Sequence, residues 1–326
     1  MTGPWWGTAA AATQCEGAPP RSDWAGWEAE GLVPPSRDGS GFRTRYADDV
    51  EVLAAAGITR HRLTVEWARL EPSPGRWDED EVAHLRRVLA AARSAGVAMW
   101  ACLLHGTAPG WFTDDARGWR DDKAATLTWP RHVDRVGEAL GDLVAGWVPI
   151  HEPDLAARLG YLDGTFPPGR RSEDDHRVAS AALRSAEAEA ARLLRTPATP
   201  VAVTWRPGAP LPESDDLLVV SAPVDRLEEP LARAAEEAAD RRLLVVTGDP
   251  DTTASDARRK ERLQAAVDLV RIAVEDGVQV EGAFHQPAID GYEWHRGFDA
   301  KLGLFDRDRD PRPALAALAP PTEATN

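Results

Sequence analysis

The strongest constraint on what this chain can fold into is an alternation. Eight short apolar runs, Trp5 to Ala11, Thr59 to Val65, Val97 to Leu104, Ala145 to Ile150, Val201 to Trp205, Leu217 to Ser221, Leu243 to Thr247 and Val280 to His285, are separated by longer stretches. Apolar runs this short read as buried strands. Between them Tyr46 to Ala56, Glu79 to Ala95, Arg131 to Leu140, Asp174 to Leu194, Leu231 to Arg241 and Ala257 to Glu275 repeat apolar residues every three to four positions. That period predicts helices with one buried stripe, and Gly57, Gly96 and Gly277 stop three of them. Strands joined by helical crossovers run parallel, and eight such units close most naturally into an α/β (β/α)8 TIM barrel. A doubly wound open sheet is the alternative.

Two departures from an ideal barrel are legible. Between Trp205 and Leu217 lies Arg206-Pro207-Gly208-Ala209-Pro210-Leu211-Pro212, whose prolines lack amide donors and fix φ, so one crossover helix is degenerate and the barrel is shortened. The last helix, near Pro313 to Leu318, is short, and the tail from Pro320 to Asn326 is expected to fray. No internal repeat or low-complexity linker divides the chain. Residues 1–326 are therefore expected to form a single barrel domain.

Charge narrows the class of partner. Lys plus Arg number 38 against 53 Asp plus Glu, a net charge of -15, which disfavours nucleic acid, anionic membranes and polyanionic substrates. Cys15 and Cys102 stand far apart with no metal-ligand spacing, so neither a disulfide framework nor a zinc site is indicated and a reducing, cytoplasmic location is expected. The small-residue stretch Gly7 to Ala12 has no basic residue before it and reads as the first strand rather than a leader. No run approaches the ~18 apolar residues of a spanning helix. The expected partner is a small molecule bound without a cofactor; the oligomeric state stays open.

In a barrel of this kind the chemistry collects where strands end at their C-terminal side. Those ends carry Gln14, Glu66-Trp67, His105, His151-Glu152, Gly248-Asp249 and Glu293-Trp294. Glu152 closes the apolar run Trp147-Val148-Pro149-Ile150 and is followed at once by Pro153, which makes it a candidate catalytic acid; a merely solvated strand-end Glu is the other reading. Carboxylates, amides and imidazoles hydrogen-bond hydroxyls, and an indole stacks on the C–H face of a pyranose. The 13 tryptophans, against three tyrosines, suit such a surface, although core packing accounts for most of them.

These residues carry a resemblance. Trp6-Gly7-Thr8-Ala9 with Gln14-Cys15-Glu16-Gly17-Ala18, then Arg62 to Arg69, Glu71-Pro72, His105, Glu152-Pro153, Gly160-Tyr161, Asp290-Gly291-Tyr292-Glu293-Trp294 and Pro311-Arg312-Pro313 are, in that order, similar to glycoside hydrolase family 1. The resemblance implies a β-glucosidase-like retaining barrel acting on a glycoside. Glu152 then matches the acid/base, Gln14 and Glu293 the ligands of the glycone hydroxyls, His105 a further hydroxyl contact, Trp294 the sugar-facing indole, and Arg62 the neighbour of the nucleophile. His151 stands where the family has Asn, beside the substrate.

The same resemblance exposes a gap. Where the family's seventh strand ends in Thr-Glu-Asn-Gly, this chain reads Val246-Thr247-Gly248-Asp249-Pro250, with Gly248 at the nucleophile's position. Gly106 and Gln286 replace tryptophans, and Ser221-Ala222-Pro223 replaces a Tyr that orients the nucleophile. Retaining hydrolysis needs two carboxyl groups about 5 to 5.5 Å apart. Asp249 and Asp251 are possible substitutes, and Glu66, four residues after Arg62, is expected to point into the mouth. Three readings stay open: a glycosidase or transglycosylase of atypical mechanism, a catalytically silent carbohydrate-binding protein, and an acid/base enzyme recruited to another polar metabolite.

Overall fold

In the computed structural model, which describes residues 3–318 apart from 116, 122, 213 and 239, every apolar run singled out above contributes a strand. These are β1 (Trp5–Ala10), β2 (Arg60–Thr64), β3 (Ala98–Cys102), β4 (Gly146–Val148), β5 (Ala202–Thr204), β6 (Leu217–Ser221), β7 (Leu243–Gly248) and β8 (Val280–Gln286). All ladders are parallel, in the order β4-β3-β2-β1-β8-β7-β6-β5. The two ends of that order meet. Trp147 and Val201 form a parallel bridge, and Trp147 N donates to Pro200 O at 3.0 Å, which closes the barrel and excludes the open sheet. The strand β4 is shorter than its apolar run because Pro149 has no amide hydrogen to extend the ladder.

Alternation along the strands sorts their side chains into two cores. Ala9, Trp100, Cys102, Val148, Val219, Leu244, Val246 and Phe284 fill the inside of the barrel. Two tryptophans plug it, and each needs a glycine opposite: a Cβ at Gly146 would lie 2.5 Å from the Trp100 ring, and one at Gly282 would lie 2.1 Å from the Trp5 ring. The alternate residues of the same strands pack against the helices in a second, larger cluster.

The helices Phe42–Ala55, Glu79–Ser94, Trp129–Leu140, Glu173–Leu194, Glu228–Glu237 and Asp256–Glu275 cover the outside, within a few residues of the periodic stretches. Asp78, Ser172 and Ser255 start three of them by accepting the amides of Glu81, Asp175 and Arg258. Between β5 and β6 no helix forms, as the prolines dictate. Pro313–Leu318 is a 3-10 turn, and the tail from Pro320 onward lies outside the described residues.

Short helices that have no period to announce them follow several strand ends: Ala12–Glu16 after β1, Trp67–Leu70 after β2 and Pro153–Ala157 after β4. They turn the chain at the rim and hold the side chains of interest there. No described helix is long and apolar enough to cross a membrane.

Candidate active site

A cleft of about 1410 Å³ opens over the C-terminal ends of the strands, bordered by His105, His151, Glu152, Gln286, Glu293 and Trp294. Gln14, expected at the same pocket, does not border it; it lines a smaller pocket next to Glu293, and its Nε2 donates 2.9 Å to Glu293 Oε2. That contact joins the helix after β1 to the loop after β8, and the Tyr292 amide donating to Gln14 O at 3.1 Å fixes the same junction. Burial pushes the Glu293 carboxyl up to about 7, against Arg296 and the Gln14 hydrogen bond, which lower it.

Trp294 is held edge-on by Trp24, with ring centres 4.8 Å apart, and packs against Phe166 at 5.1 Å. His105 packs on His151 at 4.2 Å between ring centres, and its Nδ1 has no partner among the described residues. Burial holds both imidazoles well below their ordinary value, with the charge of Arg62 adding to it, so both are neutral at pH 7. Of the tryptophans, Trp119 and Trp294 border the cleft while Trp24, Trp67, Trp129 and Trp147 are fully buried.

Glu152 stands at the junction of β4 and the helix Pro153–Ala157 with φ 48° and ψ 62°, a left-handed conformation that costs a non-glycine residue about 1 kcal/mol or more. Its side chain is 28% exposed. Ser221 Oγ, at the end of β6, donates to Oε1 at 2.6 Å, and His151 Nε2 lies 3.8 Å from Oε2. Ser221 thus touches the acid.

Below Glu152 the floor is organised by Arg62, which is completely buried. Its Nη1 donates to His151 Nδ1 at 3.0 Å and its Nη2 to Gln286 Oε1 at 2.8 Å, while its Nε has no partner among the described residues. A guanidinium only donates. His151 Nδ1 is therefore an acceptor, and the ring proton sits on Nε2, toward Glu152. Gln286 Oε1 is likewise an acceptor, which leaves its amide NH2 free to face the cleft that Gln286 borders.

Gly248 is the last residue of β7 and pairs in register with Gln286. Two positions after Val246 it follows the inward face. Its surroundings are crowded rather than vacant: a Cβ there would lie 2.7 Å from the Gln286 carbonyl oxygen and 3.3 Å from Gln286 Cγ. The side chain of Gln286 leans over the glycine and serves as the acceptor for Arg62.

Of the other carboxylates, Glu66 and Asp251 are engaged elsewhere, and Asp249 is held through one oxygen while its buried Oδ2 has no partner among the described residues. Glu66 does not point into the mouth as expected; β2 ends at Thr64, the chain turns, and the buried Glu66 caps the helix Trp67–Leu70, accepting from Ala68 N at 3.5 Å and Thr107 Oγ1 at 2.9 Å. Asp249 borders the cleft, but its Oδ1 is bound by Arg262 at 3.1 Å and by the Asp251 amide at 2.9 Å. Asp251 belongs to a separate surface depression with Arg258 and Arg262, and Arg262 reaches it at 3.5 Å. Asp23 also borders the cleft, with burial pushing its carboxyl well up and the amides of Trp24 and Ala108 opposing that.

Sequence reasoning did not anticipate Asp23, Phe166 or the Ser221–Glu152 contact. Asp23 opens the short helix Asp23–Ala29 and Phe166 lies in an irregular segment, neither with a period to mark it, and the register of a polar pair 69 positions apart has no local signature.

Comparison with known proteins completes the picture. The model of the family described as Glycosyl hydrolase family 1 matches residues 3–210. Beta-glucosidase 38 of Oryza sativa subsp. japonica is 31% identical over 127 residues, 39% of this chain and 26% of that protein. Coniferin beta-glucosidase of Pinus contorta is 29% identical over 175 residues, 50% of this chain and 34% of that protein. The chain thus spans about a third or less of the length of these curated relatives. Among solved structures, a beta-glycosidase from Pyrococcus horikoshii superimposes with a TM-score of 0.85 at 22% identity, covering 96% of this chain and 92% of that one. A beta-glucosidase from Thermotoga maritima in complex with azafagomine gives 0.84 at 17%, covering 97% and 96%. At those identities the likeness speaks for the barrel alone, but the family match runs over more than half of the sequence. The barrel, its rim residues and that match agree: the chain belongs to glycosyl hydrolase family 1 and is β-glycosidase-like.

Proposed function

We propose that the protein acts on a β-glycoside in the cleft above Arg62, as one barrel domain, with Glu152 as general acid and base and no nucleophile of its own. The observation that carries this reading is a cleft whose rim gathers sugar-type contacts round Glu152, while Asp249, which also borders it, is held through Oδ1 by Arg262. His105, Glu293 and Trp294 gather round one cleft with Glu152, and Gln14, which stands off its lining, is tied to Glu293 at 2.9 Å. Gln14, Glu293 and His105 would take glycone hydroxyls, Trp294 would stack on the ring, and His151 and Arg62 would shape the floor beneath it. The similar beta-glucosidase from Thermotoga maritima has been solved in complex with azafagomine and with deoxynojirimycin.

General acid catalysis asks for a proton donor within hydrogen-bond reach of the leaving oxygen. Glu152, anchored through Oε1 by Ser221, keeps Oε2 for that task. Attack from the opposite face would fall where Gly248 and Gln286 stand, and neither supplies an anion. A catalytically silent sugar-binding protein is the second reading, favoured by the same Gly248. A panel of aryl β-glycosides assayed at high enzyme concentration decides between them. Consumption of any of them, lost in Glu152→Gln, supports the first reading; sugar binding with no consumption under any condition supports the second.

A further inference from the structure

The floor of the cleft carries an imbalance. Arg62 is a fully buried cation whose two partners, His151 and Gln286, are both neutral, and whose Nε has none among the described residues. A buried charge is ordinarily paired, since leaving it alone is expensive. The acids around the cleft do not neutralise it directly. Asp249 is engaged by Arg262 at 3.1 Å, Glu293 is bound by Gln14, and Glu152 is separated from the guanidinium by the His151 ring.

The two neutral partners matter for what they present on their far sides. Because Arg62 can only donate, it forces acceptor atoms toward itself and hydrogen-bearing nitrogens away: Nε2–H on His151 and the NH2 group on Gln286, both on residues that border the cleft. Two N–H donors with a buried cation behind them make an oxyanion-binding floor of the sort that backbone amides make elsewhere. Gln286 pairs with Gly248 across the ladder and His151 Nε2 lies 3.8 Å from Glu152 Oε2, so this floor runs from position 248 toward the acid.

Resting on the reading given under Proposed function, we infer that this floor binds a small soluble oxyanion, inorganic phosphate or a small carboxylate, and that the anion is the nucleophile that position 248 lacks. One anion oxygen forms a bond to the anomeric carbon as the bond from that carbon to the aglycone oxygen breaks. The electron pair of the broken bond stays on the aglycone oxygen, which takes the proton of Glu152. The products are the free alcohol and a glycosyl ester of inverted, α configuration. The proton shed by the newly formed phosphate ester, or drawn from water in the carboxylate case, returns to Glu152 through solvent, and no oxidant or reductant is involved. The protein is on this account a glycosyl transferase to an oxyanion rather than to water.

The experiment has a binding arm and a turnover arm. Calorimetric titration of the whole protein with inorganic phosphate, and separately with acetate, is expected to show saturable binding of at least one of them. Gln286→Glu places a carboxylate against Arg62 and removes the donor, so it should weaken that binding by about tenfold or more, equivalent to about 1.4 kcal/mol, while glucose binding persists. Gln286→Met, which removes the donor without adding charge, serves as a second variant should the first misfold. In the turnover arm an aryl β-glucoside should be consumed roughly tenfold faster with the binding anion than with chloride at equal ionic strength. Phosphate should yield α-glucosyl phosphate and acetate the α-acetyl ester, which tells the two sources apart. Failure of both anions to bind, binding indifferent to both Gln286 variants, or turnover by water at a rate no anion alters would overturn the inference while leaving the glycoside reading intact. No consumption with any anion present would remove the glycoside reading, and the nucleophile role with it, while anion binding lost in the Gln286 variants would still stand for the site.

Discussion

The two walls of the cleft are unlike. One is built from the ends of β3, β4 and β8 and carries His105, Glu152, Glu293 and Trp294, each a residue type suited to a sugar or its leaving group, with Gln14 behind it on Glu293. The other follows the end of β7 and presents Asp249, held by Arg262, and Pro250, with Ser221 and Gly248 off the lining. The family match cuts across that divide, leaving Glu293 and Trp294 outside it together with β6 and β7. It ends at residue 210, before β6 begins, although β6, β7 and β8 keep their places in the barrel. A barrel wall is held by its ladder and its apolar alternation, which do not depend on the residue at the tip of each strand. Tips on one side can therefore change while the scaffold and the opposite side persist.

The sharpest test of the wall that carries Glu152 is Glu152→Gln. If an aryl β-glycoside is turned over, this change should slow it by roughly 10²- to 10⁴-fold, the usual share of general acid catalysis, with sugar affinity little altered. Equal rates in wild type and variant would move the chemistry off that wall.

The altered wall should resist simple repair. Gly248→Glu is expected to destabilise the protein by about 1 to 3 kcal/mol, because its Cβ meets the Gln286 carbonyl at 2.7 Å, a contact that backbone must move to relieve. Chemical denaturation reads the loss, and a covalent glycosyl intermediate found by mass spectrometry at position 248 with undiminished stability would contradict it.

A smaller effect separates the walls by pH. Glu293 titrates near 7, being pushed up from 4.5 chiefly by burial. Above that point it is a carboxylate and accepts stronger, charge-assisted bonds from hydroxyls. Glucose affinity should therefore rise as pH passes upward through about 7, and the slope should vanish in Glu293→Gln. A pH-independent affinity in the wild type would mean that the sugar does not engage Glu293.

The smallest effect lies behind the cleft. Glu187 accepts the Thr204 amide at 2.9 Å beneath β5, and burial lifts its carboxyl from 4.5 to about 8. The folded state then holds a proton that the unfolded chain gives up above about 4.5. Its contribution to stability is full below that pH and is lost as pH rises through about 8. Melting temperature should decline over that window, and less steeply in Glu187→Gln; identical slopes would place the proton elsewhere.

Much of the fold was legible before any coordinates. Strand positions follow from short apolar runs, helix positions from a period of three to four, and the missing crossover helix from its prolines, because these are local properties of the chain. The strand-end acid Glu152 and the companions Gln14, His105, Glu293 and Trp294 were legible for a related reason: a barrel converts position along a strand into position on the rim. The expectation for Glu66 failed where that rule stops. Once β2 ends at Thr64 the strand alternation no longer applies, and the chain had already turned into a helix that Glu66 caps.

The sequence by itself determined the alternation of eight strands with helices, since that is written in residue identity and spacing, and its resemblance to the family pointed to a carboxylate missing at position 248. Only the tertiary structure decided what stands in that place. Gln286 meets Gly248 across a ladder and Arg62 across the barrel, 224 positions away in the chain, and Ser221 finds Glu152 from another strand end. Such contacts depend on the register and shear with which distant strands pair, and on which of two faces each residue turns inward. Those quantities are set by packing of the whole barrel, and no local stretch of sequence contains them.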